Sequence, residues 1–255
     1  MKKNKNIIVL GSGGIICKNL KKIFDEKKIK AAFFGSKKAN LNTIQGLRFL
    51  KKKIKDNDII IFVSAKAPAK NYEDFYYNID MVNNFILAIK KKKINYLIYI
   101  SSDAVYGDYK IIDEKTDTDC GSIHGKMHLT REQILQKRFG QKLCILRPTL
   151  IFGKEDNHRG YGPNQFYQKA REGKNIILFG KGEEKRDHIY SKVVANYIYQ
   201  LLKKKKTGIY NLASGNVVSF YKLACWFKKM SKKKLRLSLK KEKDPCHIKV
   251  IGHSM

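Results

Sequence analysis

Short apolar runs recur along the chain at distances that a helix can fill. Asn6–Leu10, Ala31–Phe34, Asp58–Val63, Asn95–Ile100 and Leu143–Leu146 are dense in Ile, Val, Leu and Phe, without the alternation of a one-sided sheet. Such runs fit strands covered on both faces. Between them, apolar positions recur at helical spacing over Lys18–Lys28, Thr43–Ile54, Tyr72–Lys90 and Ser122–Arg138. Strand–helix alternation with short connections predicts an α/β fold with a doubly wound parallel sheet. Ile189–Leu202 is expected as a further helix returning to that sheet, and Phe220–Met230 as a helix of a smaller C-terminal lobe. No internal repeat or Pro/Ser-rich linker marks a separable unit.

The chemistry enters at the ends of the predicted strands. After the first comes Gly11-Ser12-Gly13-Gly14-Ile15-Ile16-Cys17. Gly11 and Gly14 meet a GxxGxxG spacing, with Cys17 at the third place. A glycine turn between strand and helix lets the backbone approach a pyrophosphate, which the helix N–H groups can bind. After the second strand stand Gly35-Ser36-Lys37-Lys38, read as a loop, with no Asp or Glu to hold a ribose hydroxyl. Ser36 and Lys37 suit a 2′-phosphate instead, which favours NADP(H) over NAD(H). Ser64 and Ala65 follow the third strand and are small enough for a ligand to come close, and Asn78 lies near the first turns of the next helix. After the fourth strand come Ser101, Ser102 and Asp103, then a helix carrying His124 and His128.

Composition adds a second theme. The 255 residues carry 54 Lys+Arg against 22 Asp+Glu, a net charge of +32. A polyphosphate partner or an anionic membrane face would suit such a charge. Lys, Asn, Ile and Tyr are together over-represented, however, as AT-rich codons would make them. The runs Lys51–Lys53, Lys90–Lys93, Lys203–Lys206 and Lys232–Lys234 lack regular aromatic interleaving and fit no nucleic-acid module. Nucleic acid is therefore not the expected partner. The five cysteines are scattered without a CxxC pair, which fits free thiols in a reducing compartment. No apolar stretch reaches the ~18 residues of a membrane span. The glycines end the first apolar run too early for a signal peptide. A cytoplasmic location is expected.

Several of these segments together resemble the extended short-chain dehydrogenase/reductase family, the nucleotide-sugar epimerases, dehydratases and 4-keto reductases. They are the glycine turn at Gly11, Ser101-Ser-Asp-Ala-Val-Tyr-Gly107, Leu146-Arg-Pro-Thr-Leu-Ile-Phe-Gly153, Gly162-Pro-Asn164, Leu178-Phe-Gly-Lys-Gly182 with Arg186-Asp187, and Tyr210-Asn-Leu-Ala-Ser-Gly215. They stand in the family's order over nearly the whole chain. The resemblance implies a Rossmann-type domain over residues 1–152, to which 187–213 return. It also implies a substrate-binding lobe from 153–186 and 214–255. It further implies a nucleotide-sugar substrate, with Asn164 beside the nucleotide and Arg186 on its phosphates. A homodimer through the two long helices is expected too.

The family's catalytic set is a Ser or Thr at the place of Ser102 and a Tyr-x-x-x-Lys pair on the next helix. Two registers are open here: Ser122 with Lys126, or His124 with His128. Glu132 stands four residues after His128, where many members carry a glutamate, and Gly125 follows His124, so the histidine register is preferred. His124 would then serve as general acid/base, oriented by Ser102, and His128 would hold the ribose. A metal site is not expected: residue 125 is not the glutamate of HExxH, and no third ligand is evident. Asp103 is followed by Ala104, where dehydratases carry glutamate, which leaves epimerisation or 4-keto reduction. The loss of Tyr and Lys admits two other readings, a cofactor-binding relative without turnover and a nucleic-acid-binding descendant of the fold. His247 and His253 are read as incidental.

Overall fold

A computed structural model describes residues 6–109, 111–154, 156, 162–231, 233 and 235–240. Its elements run β1 (Ile7–Leu10), α1 (Ile15–Glu26), β2 (Ala31–Phe34), α2 (Ser36–Ala39), α3 (Ile44–Lys53), β3 (Ile59–Phe62), α4 (Tyr72–Ala88), β4 (Tyr96–Ile100), α5 (Ile123–Phe139) and β5 (Leu143–Pro148). There follow β6 (Leu150–Phe152), α6 (Pro163–Glu172), β7 (Ile176–Phe179), β8 (Lys185–Tyr190), α7 (Ser191–Lys204), β9 (Gly208–Leu212), β10 (Val217–Ser219), α8 (Phe220–Met230) and β11 (Leu237–Lys240).

The apolar runs form a six-stranded sheet in the order β2-β1-β3-β4-β5-β9, parallel throughout. Their two-sided hydrophobicity has a direct cause. Val9, Ile61, Ile98 and Ile100 point to one core, shared with Leu20 and Phe24 of α1 and Val194 and Ile198 of α7. Ile8, Leu10, Ile60, Phe62, Leu97 and Tyr99 point to the other, closed by Leu50 of α3, Val82 and Phe85 of α4, and Leu135 of α5. Cys17 belongs to the first core, and burial pushes its thiol up to about 12. It occupies the third place of the glycine spacing as a small apolar side chain.

Helix starts follow capping chemistry. Thr43, Asn71 and Ser122 each accept a backbone N–H three residues on and so cap α3, α4 and α5. The stretch at Ser36 and Lys37, expected as a loop, is the one-turn helix α2. A third core lies beyond β5, where Phe166 and Ala170 of α6, Ile176 and Leu178 of β7, and Phe220, Leu223 and Ala224 of α8 pack with Leu235. The strand set β10-β8-β6 stands between this core and the large sheet. Among the described residues no helix is long and apolar enough to cross a membrane. His247 and His253 lie outside the described residues.

Candidate cofactor and catalytic site

The glycine turn is built for close approach. Gly11 holds φ +106°, and a Cβ there would lie 2.8 Å from the Ser64 nitrogen, so the loops after β1 and β3 touch through backbone. The Gly11 and Ser12 amides donate to Phe34 O at 2.9 and 3.2 Å, fixing the turn against β2. Beyond it the space opens: a Cβ on Gly13 would meet nothing within 4 Å, and one on Gly14 only Gly11 O at 3.6 Å. No side chain caps α1. The N–H groups opening α1, at Ile15 and Ile16, therefore face an open cradle, which fits a dinucleotide pyrophosphate. Ile16 itself is buried in the core, so its contribution there is its backbone. Ser36 and Lys37 are exposed just past β2.

The loop after β3 carries Ser64 and Ala65 and is held by Asn78. The Asn78 amide accepts Lys66 N–H at 2.8 Å and donates to Lys66 O at 2.9 Å and Asp74 O at 2.7 Å. That completely buried side chain positions the loop through its own hydrogen bonds. Arg131, on α5, donates to Ser64 O at 2.7 Å from the far side.

At the end of β4 the two serines diverge. Ser101 is buried and donates to Glu132. Ser102 is half-buried; it donates to Asp103 Oδ1 at 3.1 Å and accepts the Ala104 amide at 3.2 Å, capping a short 3-10 turn, Asp103–Val105. Burial pushes the Asp103 carboxyl up to about 6, against the pull of Arg186 and the Ser102 hydroxyl. Arg186 comes from β8, so the end of β4 and the β10-β8-β6 strand set meet electrostatically here. Its Nε also donates to Glu184 at 2.6 Å.

Helix α5 turns His124 and His128 inward and leaves Lys126 exposed, while Ser122 serves as its N-cap. The two imidazoles meet edge to face with centroids 4.7 Å apart. His124 Nδ1 accepts the Ala69 amide at 3.3 Å, which leaves Nε2 as the protonated nitrogen. Burial, helped by Arg131, pulls His124 down to about 4, and His128 is lowered by burial, by His124 and by Arg131. Both rings are neutral at physiological pH. His128 Nδ1 lies 2.8 Å from Tyr99 Oη. Gly125 makes this approach possible: a Cβ would stand 1.9 Å from Ala104 O. Gly125→Ala is expected to push α5 off the Ser102–Asp103 turn and cost about 3 kcal/mol or more, as overpacking does, read as a lowered urea midpoint.

Sequence reasoning missed two features behind the histidines. Arg131 is completely buried, its guanidinium 5.1 Å from the Phe62 and Tyr99 ring centroids, with no carboxylate bonded to it and Nε without a partner among the described residues. Glu132 receives Arg147 Nε at 3.0 Å and Nη2 at 2.5 Å; Arg147 Nη1 then donates to Tyr106 Oη at 2.7 Å, which donates to Asn211 at 2.8 Å. This chain crosses from α5 through β5 to β9 beneath the site. Asn164 lies at the start of α6, accepting Gly153 N–H at 3.0 Å and donating to Asp156. It ties the start of α6 to the end of β6, and among the described residues no hydrogen bond joins it to the histidines. Among the described residues there is no cluster of three or more His, Cys, Asp or Glu that could hold a metal.

The profile of the NAD-dependent epimerase/dehydratase family matches residues 7–213. The chain belongs to that family. A relative from Escherichia coli O157:H7, N-acetyl-α-D-glucosaminyl-diphospho-ditrans,octacis-undecaprenol 4-epimerase, is 25% identical over 227 residues, covering 82% of this chain and 67% of its own. The human dTDP-D-glucose 4,6-dehydratase is 24% identical over 209 residues, covering 74% of this chain and 59% of its own. Among solved structures, the UDP-glucose 4-epimerase of Thermus thermophilus in complex with NAD superposes with a TM-score of 0.83 at 17% identity, covering 96% of this chain and 88% of that one. The UDP-N-acetylglucosamine 4-epimerase of Methanobrevibacter ruminantium does so at 0.83 and 20%, covering 99% and 90%. The Rossmann-type fold and the extended-family resemblance read from the motifs thus stand. The readings as a non-catalytic relative or a nucleic-acid binder gain no support. The chain spans only part of the curated relatives' length.

Proposed function

We propose that this family member interconverts C4 hydroxyl and C4 keto groups of a nucleotide sugar, as a 4-epimerase or a 4-keto reductase. The carrying observation is the convergence of the Ser102–Asp103 pair and the neutral His124–His128 pair at the carboxyl ends of the central strands. The open Gly13–Gly14 cradle lies at the same end of the sheet. The relatives' names, 4-epimerases among them, favour the same reaction class.

The Gly11–Ile16 turn would hold the pyrophosphate; Ser64, Ala65 and the floor at His128 would hold the nicotinamide half. The bound dinucleotide supplies the hydride acceptor and donor at sugar C4. The chain itself must move the O4 proton. On oxidation that proton passes to the Ser102 oxygen while the Ser102 proton moves to Asp103 Oδ1; reduction reverses both. An Asp103 carboxyl near 6 is matched to this exchange at neutral pH. His124, expected from sequence as the acid/base, is read here as a neutral donor from Nε2 that steadies negative charge developing on O4. Arg186 would bind nucleotide phosphates with its guanidinium fork, and Asn164 would keep its loop beside the nucleotide. The third core, with 153–186 and the residues after 214, forms the substrate lobe in this reading.

Exposed Ser36 and Lys37, with no carboxylate after β2, favour NADP(H). The exposed Tyr76 and Leu87 of α4 support a homodimer through α4 and α5. Reducing, cytoplasmic conditions and surface-polysaccharide precursor supply complete the proposal.

The decisive experiment supplies the purified protein with UDP-N-acetylglucosamine and NAD+ or NADP+, then with a 4-keto nucleotide sugar and NADPH. C4 epimers are followed by NMR, and reduction by loss of nicotinamide absorbance. Turnover in either arm, falling about 10²-fold or more in His124→Ala, is expected. Tight dinucleotide binding with no turnover in either arm would sink the reading.

A further inference from the structure

The lysine runs look scattered in sequence, yet the topology gathers them. In a parallel sheet every helix runs back, so every helix-to-strand connection lies at one end, opposite the ends where the site is built. Among the described residues each such connection into the large sheet is basic. Lys27, Lys28 and Lys30 precede β2; Lys51–Lys53 and Lys55 precede β3; Lys90–Lys93 precede β4; Arg138 and Lys142 precede β5; Lys203–Lys206 precede β9.

Hydrogen bonds join these connections into one face. Asn57 N–H donates to Lys93 O at 2.8 Å, Lys93 N–H to Asp56 at 2.7 Å, Asn95 N–H to Asp58 O at 2.9 Å, and Lys205 Nζ to Asn95 at 3.4 Å. Of the acids at this end, Asp56 takes the Lys93 amide and Asp58 is buried and takes the Lys55 amide, while Asp25 and Glu26, exposed at the end of α1, are far outnumbered by the cations. At the centre is a hollow of about 340 Å³ lined by Lys90–Lys93, Ile94, Arg138, Phe139 and Lys142, with no carboxylate. One or two cations satisfy a helix C-terminus; these runs continue past it. Carboxylates collect at the opposite end, in Glu73, Asp74, Asp103, Asp113, Glu114 and Asp119.

We propose that this basic end docks on an anionic phospholipid surface, with the hollow taking a phosphate headgroup. Six strands spaced ~4.8 Å apart spread the charge over about 24 Å, wide enough to meet several headgroups at once. The cations are almost all lysines, strongly hydrated point charges, and clusters of four to eight such residues suit acidic lipid. Nucleic-acid surfaces use stacked aromatics and guanidinium forks; this face carries a single arginine, Arg138, beside Phe139, among many lysines. With the basic end on the membrane, the catalytic cleft, built at the other ends of the strands, stays open to solvent. Such a face would keep a soluble nucleotide sugar accessible while holding the protein at the surface.

The test is flotation of the full-length protein with phosphatidylcholine vesicles containing phosphatidylglycerol, against pure phosphatidylcholine, at 50 and 300 mM salt. Binding to the anionic vesicles alone, lost at high salt, is expected. A variant with Lys90, Lys91, Lys92 and Lys93 all changed to Gln should bind about tenfold less tightly or weaker still. A control of equal charge loss, with Lys115, Lys222, Lys228 and Lys229 changed to Gln, should stay within about twofold of the parent. Equal losses in the two variants would overturn the docking face, as would no vesicle binding. A preference for RNA over vesicles at matched phosphate would assign the face to nucleic acid instead. Inhibition by millimolar inorganic phosphate without vesicle binding would reduce the hollow to a free-phosphate site. Dinucleotide binding, unchanged in both variants, reports that each is folded and separates this result from the catalytic reading.

Discussion

Asp103→Asn is expected to make the protein more stable at neutral pH and far less active. The folded-state carboxyl titrates near 6, against 3.8 for the ordinary group, chiefly because it is withdrawn from water. A raised carboxyl means that the folded protein binds more protons than the unfolded chain between about pH 4 and 6. Stability therefore falls as pH rises through that window and stays reduced above it. Allowing for partial solvent screening, the penalty is about 1–2 kcal/mol at pH 7.5. Asparagine cannot ionise, so the variant should gain about that amount at pH 7.5 and nothing below pH 4. Turnover should drop by about 10²–10⁴, the range for a lost proton carrier. Urea titrations at pH 4, 5, 6 and 7.5 beside initial rates decide it. Parallel stability curves, or an active variant, would remove Asp103 from the proton path.

The largest stability loss is expected at Glu132. Its carboxylate and the Arg147 guanidinium are each only 3% exposed, and Ser101 and Tyr106 complete their bonding. In Glu132→Ala the guanidinium remains buried without its counter-charge, which costs about 3–5 kcal/mol. The attraction within the pair largely offsets desolvation, so removing both charges should cost much less: Glu132→Met with Arg147→Met should recover most of the loss. Chemical denaturation of the three proteins is the measurement. A single variant within about 1 kcal/mol of the parent would mean that the chain from α5 to β9 does not hold the sheet together.

What could be read from sequence follows from how each segment is buried. The central strands are apolar because helices cover both faces, so Asp58–Val63 and Asn95–Ile100 were legible almost to the residue. The helical spacing over Thr43–Ile54 found α3, and its first residue proved to be the cap. The strands outside the large sheet were not legible. β8, Lys-Arg-Asp-His-Ile-Tyr, buries only Asp187 and Ile189, and Asp187 is there to bind Thr149, Ser214 and Asn216. A strand buried through a carboxylate has no hydrophobic signature. Helix α5 hid its inner face for the same reason, since Gly125, His128, Arg131 and Glu132 are among its buried residues. Arg131 read as one more surface cation in a chain of 54 Lys+Arg. The basic end was invisible because it exists only once topology brings remote connections together.

The buried guanidinium of Arg131 also restricts which neighbours this helix can accept. A lysine restored at 128 would set an ammonium among the same aromatic rings, one turn away, where one uncompensated cation is already accommodated. Two such charges in so little water repel strongly. Residues 128 and 131 are thus a joint choice, and a designer rebuilding the usual pair must change the arginine before introducing the lysine. The helix has room for one buried cation, and position 131 already holds it.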